Sequence, residues 1–439
     1  MTDIQTETEP LRQSGISAAS ERARSSDHPD CSSRNHTNMA EGVPSPSLSD
    51  CSSPNHTNMA EGVPSPSFSD YSSPNHTNMT AEELPDLLCM TQGELADFLA
   101  GLGEKSFRAK QVYDWLHVKG VRSFDGMTNL SKALRDKLRS VSRITVLRPV
   151  QVLTSQTDGT KKYLFALSDG NIIESVMMRY SYGISVCISS QVGCRMGCRF
   201  CASTIGGRIR NLTAAEMLSQ VTEIQRIQNE RVSHVVVMGS GEPFDNYEEL
   251  VRFLRLIGDE KGENLSLRNI TVSTCGLVPE IRRFAEEGLP VTLALSLHAS
   301  SQKEREILMP VAKKYELGEV LDAMRCYFSR TGRRITFEYS CVQGVNTSSA
   351  DADRLKNLLR GMNCHINLIP VNPVEERSFR QPDRREVEAF KDQLEKSGIN
   401  VTIRREMGRD ISGACGQLRR SYLNENAAAE GPGGQTPEI

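Results

Sequence analysis

The chain has 439 residues, 38% of them hydrophobic, enough for a large core and more than one domain without a disulfide or metal staple. No apolar run is long enough to cross a bilayer, and the opening MTDIQTETEP is acidic and polar where a secretory leader is basic and then apolar, so a cytoplasmic protein without membrane contact is expected. The formal charge of -3 is uneven: residues 1–80 carry four basic and ten acidic side chains, while the remainder up to Asn424 has 48 basic against 42 acidic, which permits contact with nucleic acid but does not require it.

The first segment, 1–79, is repetitive. Cys31 to Ser47 (CSSRNHTNMAEGVPSPS) recurs with one change from Cys51 to Ser67, and a partial third copy begins at Tyr71. Each unit is mostly polar with little to bury, so it reads as a disordered extension that grew by duplication rather than as a solenoid. His36, His56 and His76 recur at the same period, and duplication accounts for them without a metal. From about Thr80 the pattern turns helical, and 80–145 is expected to be a small helical domain. Leu95, Phe98 and Leu99 share one face, Val112, Trp115 and Leu116 another, and Asn129-Leu130-Ser131-Lys132-Ala133-Leu134 opens a further helix. Arg108, Lys110 and Lys119 either meet RNA or face water, and the residues alone favour water.

Residues 146–183 are expected to be a β-rich linker, with Lys162-Tyr163-Leu164-Phe165 and Ile172-Ile173-Glu174-Ser175-Val176 flanking the turn Asp169-Gly170-Asn171. Over 184–422 strands near 184–190, 234–239, 269–274, 291–297, 334–340, 365–370 and 400–405 alternate with helices near 212–228, 247–259, 278–287, 316–328, 350–360 and 383–397. This alternation predicts an α/β fold with parallel strands and crossover helices, in an open sheet or a partial or complete barrel. The tail 423–439 is expected to be disordered.

Twelve cysteines are few for this length, and three crowd into eight positions, a layout that suits a reducing compartment better than a disulfide framework. The strand around Val186-Cys187-Ile188 leads into Gln191-Val192-Gly193-Cys194-Arg195-Met196-Gly197-Cys198-Arg199-Phe200-Cys201. Three thiolates so spaced can wrap one side of a [4Fe-4S] cube and leave one iron open to a cofactor. Structural zinc would want a fourth ligand, and the next histidine, His234, starts a predicted strand. Inert burial sits poorly with Gly193 and Gly197, which mark an irregular loop. In Gly239-Ser240-Gly241-Glu242-Pro243 the glycines allow close backbone approach and Glu242 can accept a hydrogen bond from an ammonium, although alone the stretch reads equally as a tight turn.

The cysteine spacing and its place after a first strand resemble the signature of the radical S-adenosylmethionine (radical SAM) superfamily, in which the cofactor's amino and carboxylate groups chelate the open iron. The resemblance implies one [4Fe-4S] cluster held by Cys194, Cys198 and Cys201, S-adenosyl-L-methionine as the other cofactor, and a partial (β/α)6 barrel of six strands and six helices. Over roughly 80–422 the chain is more closely similar to the bacterial dual-specificity RNA methyltransferases. The matching stretches are Phe107-Arg108-Ala109-Lys110-Gln111, Met127-Thr128-Asn129-Leu130-Ser131-Lys132, Asn211-Leu212-Thr213, Ser296-Leu297-His298-Ala299, Asn372-Pro373 and Ala414-Cys415-Gly416-Gln417-Leu418. It departs at Ser240 and Phe244, where the family has methionine and leucine. The likeness assigns Gly241, Glu242, Ser273, Ser296, Leu297, His298 and Asn372 to cofactor contacts; alone, the serines and Asn372 read as caps or turns, and Leu297 and His298 as packing.

That family methylates carbon 2 of adenine 2503 in 23S rRNA and of adenine 37 in tRNA. Carbon 2 lies between two ring nitrogens and has no nucleophilic pair with which to attack a sulfonium methyl, so direct transfer fails. The resemblance implies that Cys415 first takes a methyl from one S-adenosylmethionine, that a 5'-deoxyadenosyl radical from a second removes a hydrogen from it, and that the resulting carbon radical adds to the base. After loss of an electron and the carbon 2 proton, Cys187 attacks the Cys415 sulfur, releasing product and leaving a disulfide that must be reduced. Glu174 matches the residue assigned to the base pocket and proton transfer. Without the family, Cys187 reads as an inert strand thiol, Cys415 in Gly413-Ala414-Cys415-Gly416 as an accessible reactive one, and Glu174 as a solvent-facing carboxylate. The implied partners are 23S rRNA, tRNA and an electron-donating system such as flavodoxin or ferredoxin, and a monomer is expected. Two other functions fit much of the same sequence: the related class that methylates carbon 8 of that ribosomal adenosine, and a non-catalytic RNA-binding protein with a structural metal.

Overall fold

The computed structural model describes residues 84–372, 378–411 and 422, so the repetitive extension, the tail and Cys415 lie outside the described residues. Three helices come first: α1 (Gln92–Gly101), α2 (Phe107–His117) and α3 (Lys132–Val141). A reciprocal cap between Thr91 and Glu94 starts α1, and Ser131 starts α3 by accepting the Leu134 amide, each worth about 1 kcal/mol. Leu95, Leu99, Val112, Leu116, Leu134 and Leu138 are buried and belong to the same apolar core as the sheet, while Phe98 and Trp115 pack at its margin. Tyr113 Oη donates to Asp259 at 2.6 Å and Arg252 donates to Glu94 at 2.9 Å, which adds polar ties at that seam. Of the basic residues weighed for RNA, Arg108 donates to Gln111, and Lys119 pairs with Asp114 over the Trp115 ring.

Strands β1 (Arg148–Thr154), β2 (Lys161–Ala166), β3 (Ile172–Tyr180) and β4 (Gly183–Ile188) form an antiparallel meander. The predicted turn lies between β2 and β3, where Asp169 accepts the Asn171 amide. A short ribbon, β5 (Gln191–Gly193) with β6 (Arg208–Asn211), then brackets the cysteine loop. After it come α4 (Ala214–Gln228), β7 (Val232–Val237), α5 (Tyr247–Ile257), β8 (Ile270–Thr274), α6 (Val278–Glu286) and β9 (Thr292–Ser296). The chain continues through α7 (Gln302–Leu308), α8 (Leu317–Thr331), β10 (Ile335–Cys341), α9 (Ser349–Leu358), β11 (Cys364–Pro370), α10 (Arg384–Lys396) and β12 (Asn400–Ile403).

The main sheet runs β1-β2-β3-β4-β7-β8-β9-β10-β11-β12 and is parallel from β4 onward, with β1 and β12 at its edges. Among the described residues seven strands run parallel, which include the six of the partial (β/α)6 barrel that the resemblance implies. The β-rich stretch 146–183 supplies β1 to β3 and joins this sheet through the antiparallel β3–β4 ladder. The β5–β6 ribbon and the seven-residue α7 are absent from the sequence reading, being too short for periodicity to register. No helix among the described residues is long and apolar enough to cross a membrane.

Side chains alternate across the parallel strands. Val186, Val272, Leu295, Phe337 and Leu368 face the helices and enter the main core, each such burial contributing about 1.5–3 kcal/mol. Cys187, Ser273, Ser296, Glu338 and Asn367 occupy the alternate positions and so share the opposite face. One face therefore holds the fold together and the other is left for chemistry.

Candidate active site

The β5–β6 ribbon sets the mouth of the cysteine loop. Gly193 has φ 75°, and a Cβ there would lie 2.1 Å from the Gly207 carbonyl oxygen, so only glycine lets the two arms close. The Cys194 amide donates to Gly207 O at 3.0 Å, the Cys201 amide to Cys198 O at 3.2 Å and the Arg199 amide to Leu308 O of α7 at 2.9 Å. The Thr204 hydroxyl reaches the carbonyls of Cys198 and Cys201. Anchored in this way, Cys194, Cys198 and Cys201 line one cavity at the carboxyl ends of the parallel strands, together with Gly241, Glu242, Ser273, Ser296 and His298.

Burial pushes the Cys194 thiol up to about 12 and the Cys198 thiol well above its ordinary range, and the neighbouring thiols add to both shifts. Such thiols ionise only if a positive centre sits among them, and the core of an iron-sulfur cluster supplies one. All three thiols line this wall, and a cubane takes each thiolate at a separate iron. The donor set on this wall therefore fits a [4Fe-4S] cluster with three protein ligands.

Opposite the thiols, Glu242 is fixed at both ends. Its amide donates to Gln191 Oε1 at 2.9 Å, and its carboxylate accepts the Phe244 amide at 3.1 Å and the Cys275 amide at 2.8 Å. Burial nevertheless raises its pKa above the usual carboxylate value, the hydrogen bonds opposing. Gly241 has φ 113°, and a Cβ there would meet the Gln191 amide nitrogen at 2.8 Å, so the backbone passes close only because the residue is glycine. The Ser273 and Ser296 hydroxyls lie 3.4 Å apart on adjacent strands. His298 sits at φ 56°, and its Nδ1 accepts the Ser340 amide at 2.9 Å, which leaves the proton on Nε2. Burial and then the Arg305 charge pull its pKa down to about 3, so the ring is a neutral donor.

Two of the predicted cofactor residues stand apart. The Leu297 side chain is buried in the main core, so only its backbone faces a ligand, and its amide is already bonded to Glu338 O. Asn372 is exposed just beyond β11 and is not on the cavity wall. Cys187 is buried between Val176 and Val236 in the strand register and packs with Met238, which does line the cavity. Glu174 is 4% exposed and pairs with fully buried Lys162 at 3.4 Å, which corrects its reading as a solvent-facing carboxylate.

Two stretches of the described chain match known families. Residues 85–144 match the ribosomal RNA large subunit methyltransferase N-terminal domain, and residues 188–354 match the radical SAM superfamily. A probable dual-specificity RNA methyltransferase RlmN from Lachnospira eligens is 58% identical over 348 residues, covering 79% of this chain and 99% of that protein. The chain belongs to the dual-specificity RNA methyltransferase RlmN family. A further RlmN relative, from Clostridium perfringens, is 51% identical over 340 residues, covering 77% of this chain and 98% of the relative. The crystal structure of a radical SAM methyltransferase from Sphaerobacter thermophilus matches with a TM-score of 0.73 at 43% identity, covering 76% of this chain and 98% of that one.

Within the RlmN family frame, the two departures leave the cavity untouched. Ser240 is buried against Ser189, and Phe244 stacks into a cluster with Tyr247 and Phe284. The sequence reading misses Cys275, Glu338, Ser340 and Arg404, all on the cavity wall. Glu338 is buried, with Asn367 donating to it at 2.9 Å. The alternation Thr336-Phe337-Glu338-Tyr339-Ser340, polar at every second position of a strand, is the signal that points to it. For Cys275 and Arg404, just past strand ends, no local pattern exists.

Proposed function

We propose that this RlmN-family methyltransferase acts on carbon 2 of adenine, at adenine 2503 of 23S rRNA and adenine 37 of tRNA. The observation that carries the reading is the single cavity on which three cysteines face Glu242, Ser273, Ser296 and His298. When bound, the cluster and S-adenosylmethionine supply a one-electron cleavage that yields a carbon radical able to take hydrogen from a sulfur-bound methyl. Glu242 holds the cofactor's ammonium, with Ser273, Ser296 and the Nε2 donor of His298 placing the rest, while Leu297 contributes backbone and Asn372 closes from the β11 end. Cys415 carries the methyl and the transient bond to RNA. Cys187 attacks that sulfur after the carbon 2 proton and one electron have left, so product departs and a Cys187-Cys415 disulfide remains. Glu174 faces the base and handles the proton. Flavodoxin or ferredoxin supplies electrons, and the helical domain at residues 80–145 contacts RNA.

Reconstituted protein, S-adenosylmethionine, reductant and 23S rRNA should give 2-methyladenosine, read by mass spectrometry against standards; 8-methyladenosine would assign the protein to the other regiochemical class. Cys187→Ala should accumulate a covalent protein–RNA adduct that Cys415→Ala does not form. Equal adduct from both would remove the proposed roles.

Glu242→Gln should weaken S-adenosylmethionine binding about 10- to 100-fold, the equivalent of the roughly 1.5–3 kcal/mol of a charge-assisted hydrogen bond. The carboxylate is the binding form, and its pKa is raised by burial. Affinity measured by calorimetry should therefore fall as pH drops through a window above that of a surface glutamate and recover as pH rises, and the variant should lose this dependence.

A further inference from the structure

Arg305 on α7 is the largest fully buried side chain among the described residues, with 0% exposure. Its Nη2 donates to the carbonyls of Cys275 at 2.6 Å and Ser296 at 3.4 Å, which ties together the ends of β8 and β9. Nε and Nη1 have no partner. A guanidinium keeps its charge inside proteins, and a buried charge without a counter-ion is costly. No carboxylate among the described residues pairs with it; the groups it faces are the thiols of Cys275 and Cys198 and the neutral ring of His298.

These thiols are not neighbours by accident of sequence. Cys198 and Cys275 pack in one small apolar cluster with Leu308 and Met309 at the end of α7, and the same helix end accepts the Arg199 amide of the cysteine loop. Carbonyls alone need only a neutral donor, so the hydrogen bonds account for a polar side chain here but not for a cation. A buried cation calls for an anion beside it. Three thiolates outweigh the positive core of a cubane that they hold, so the assembly is anionic, and more so once reduced.

We propose that Arg305 is the buried counter-charge of the cluster and holds its reduced state within reach of the electron donor. This rests on the cluster assignment above. Removing the charge makes electron uptake less favourable, whereas moving it slightly does not.

The test loads wild type, Arg305→Gln and Arg305→Lys with iron and sulfide without oxygen and titrates their potentials by electron paramagnetic resonance. Glutamine keeps a donor for the carbonyls and loses the charge. R305Q should shift the reduction equilibrium at least tenfold toward the oxidised cluster, about 59 mV for a one-electron couple. R305K should stay near wild type. Cluster loading should raise the melting temperature of wild type and R305K more than that of R305Q, since only they gain a charge pair. If R305Q does not fold, Arg305→Met supplies the neutral comparison. Equal potentials and equal gains on loading in all variants would make Arg305 a strut and overturn the proposal with the cluster intact. A wild type that takes up no iron and sulfide would overturn the cluster assignment together with it.

Discussion

Cys198→Ser protein, assembled without oxygen, should hold little iron or sulfide and should lose methyl transfer by well over about 100-fold, more than the 10- to 100-fold typical of disturbing an outer-shell partner. Cys198 is the middle thiol of the three, and serine presents no comparable soft donor. The loop should keep its shape, because Arg199, Cys194 and Cys201 hold it through main-chain amides, so circular dichroism should be unchanged. Cys275 provides the contrast. It is a fourth cysteine on the same cavity wall, and its own amide serves Glu242. Cys275→Ser should retain full iron and sulfide, since a cluster with one iron left for S-adenosylmethionine takes only three thiolates. Loss of iron in that variant would mean a fully protein-ligated cluster and would remove the radical chemistry from the site.

Glu174→Gln should destabilise the protein by about 3–5 kcal/mol, the usual result of removing one charge of a buried pair. The pair is Lys162 at 0% and Glu174 at 4% side-chain exposure, on adjacent strands of the meander. A Lys162→Met/Glu174→Gln double variant should recover most of that stability in urea denaturation, because neither charge remains. Methylation should stay lost in the double variant if the carboxylate handles the adenine proton. Recovery of activity alongside stability would make Glu174 purely structural.

How much was legible depended on element length and on which face a residue occupies. The six crossover helices of the parallel run, and the strands between them, carry apolar side chains at helical or alternating spacing and are found within a few residues of their predicted bounds. The cysteine loop was legible from its spacing and glycines. Without the family, Glu174 reads as solvent-facing, because one strand cannot reveal that a lysine two places from its cross-strand neighbour is buried with it. Arg305 was invisible for a similar reason: α7 is short, and a charged residue on a short helix reads as solvent-facing until strands β8 and β9 close over it.

The loop that carries the three thiols is gripped by main-chain donors and acceptors, and the exposed Arg199 takes part through its amide alone. Identity at such a position is decoupled from geometry. A saturation library across this loop should accordingly divide sharply, with the cysteines and Gly193 refusing replacement and Arg199 accepting nearly every residue except proline, which lacks the N–H that Leu308 binds. Lineages are thus free to repaint the rim around the metal without resetting the ring of sulfur beneath it.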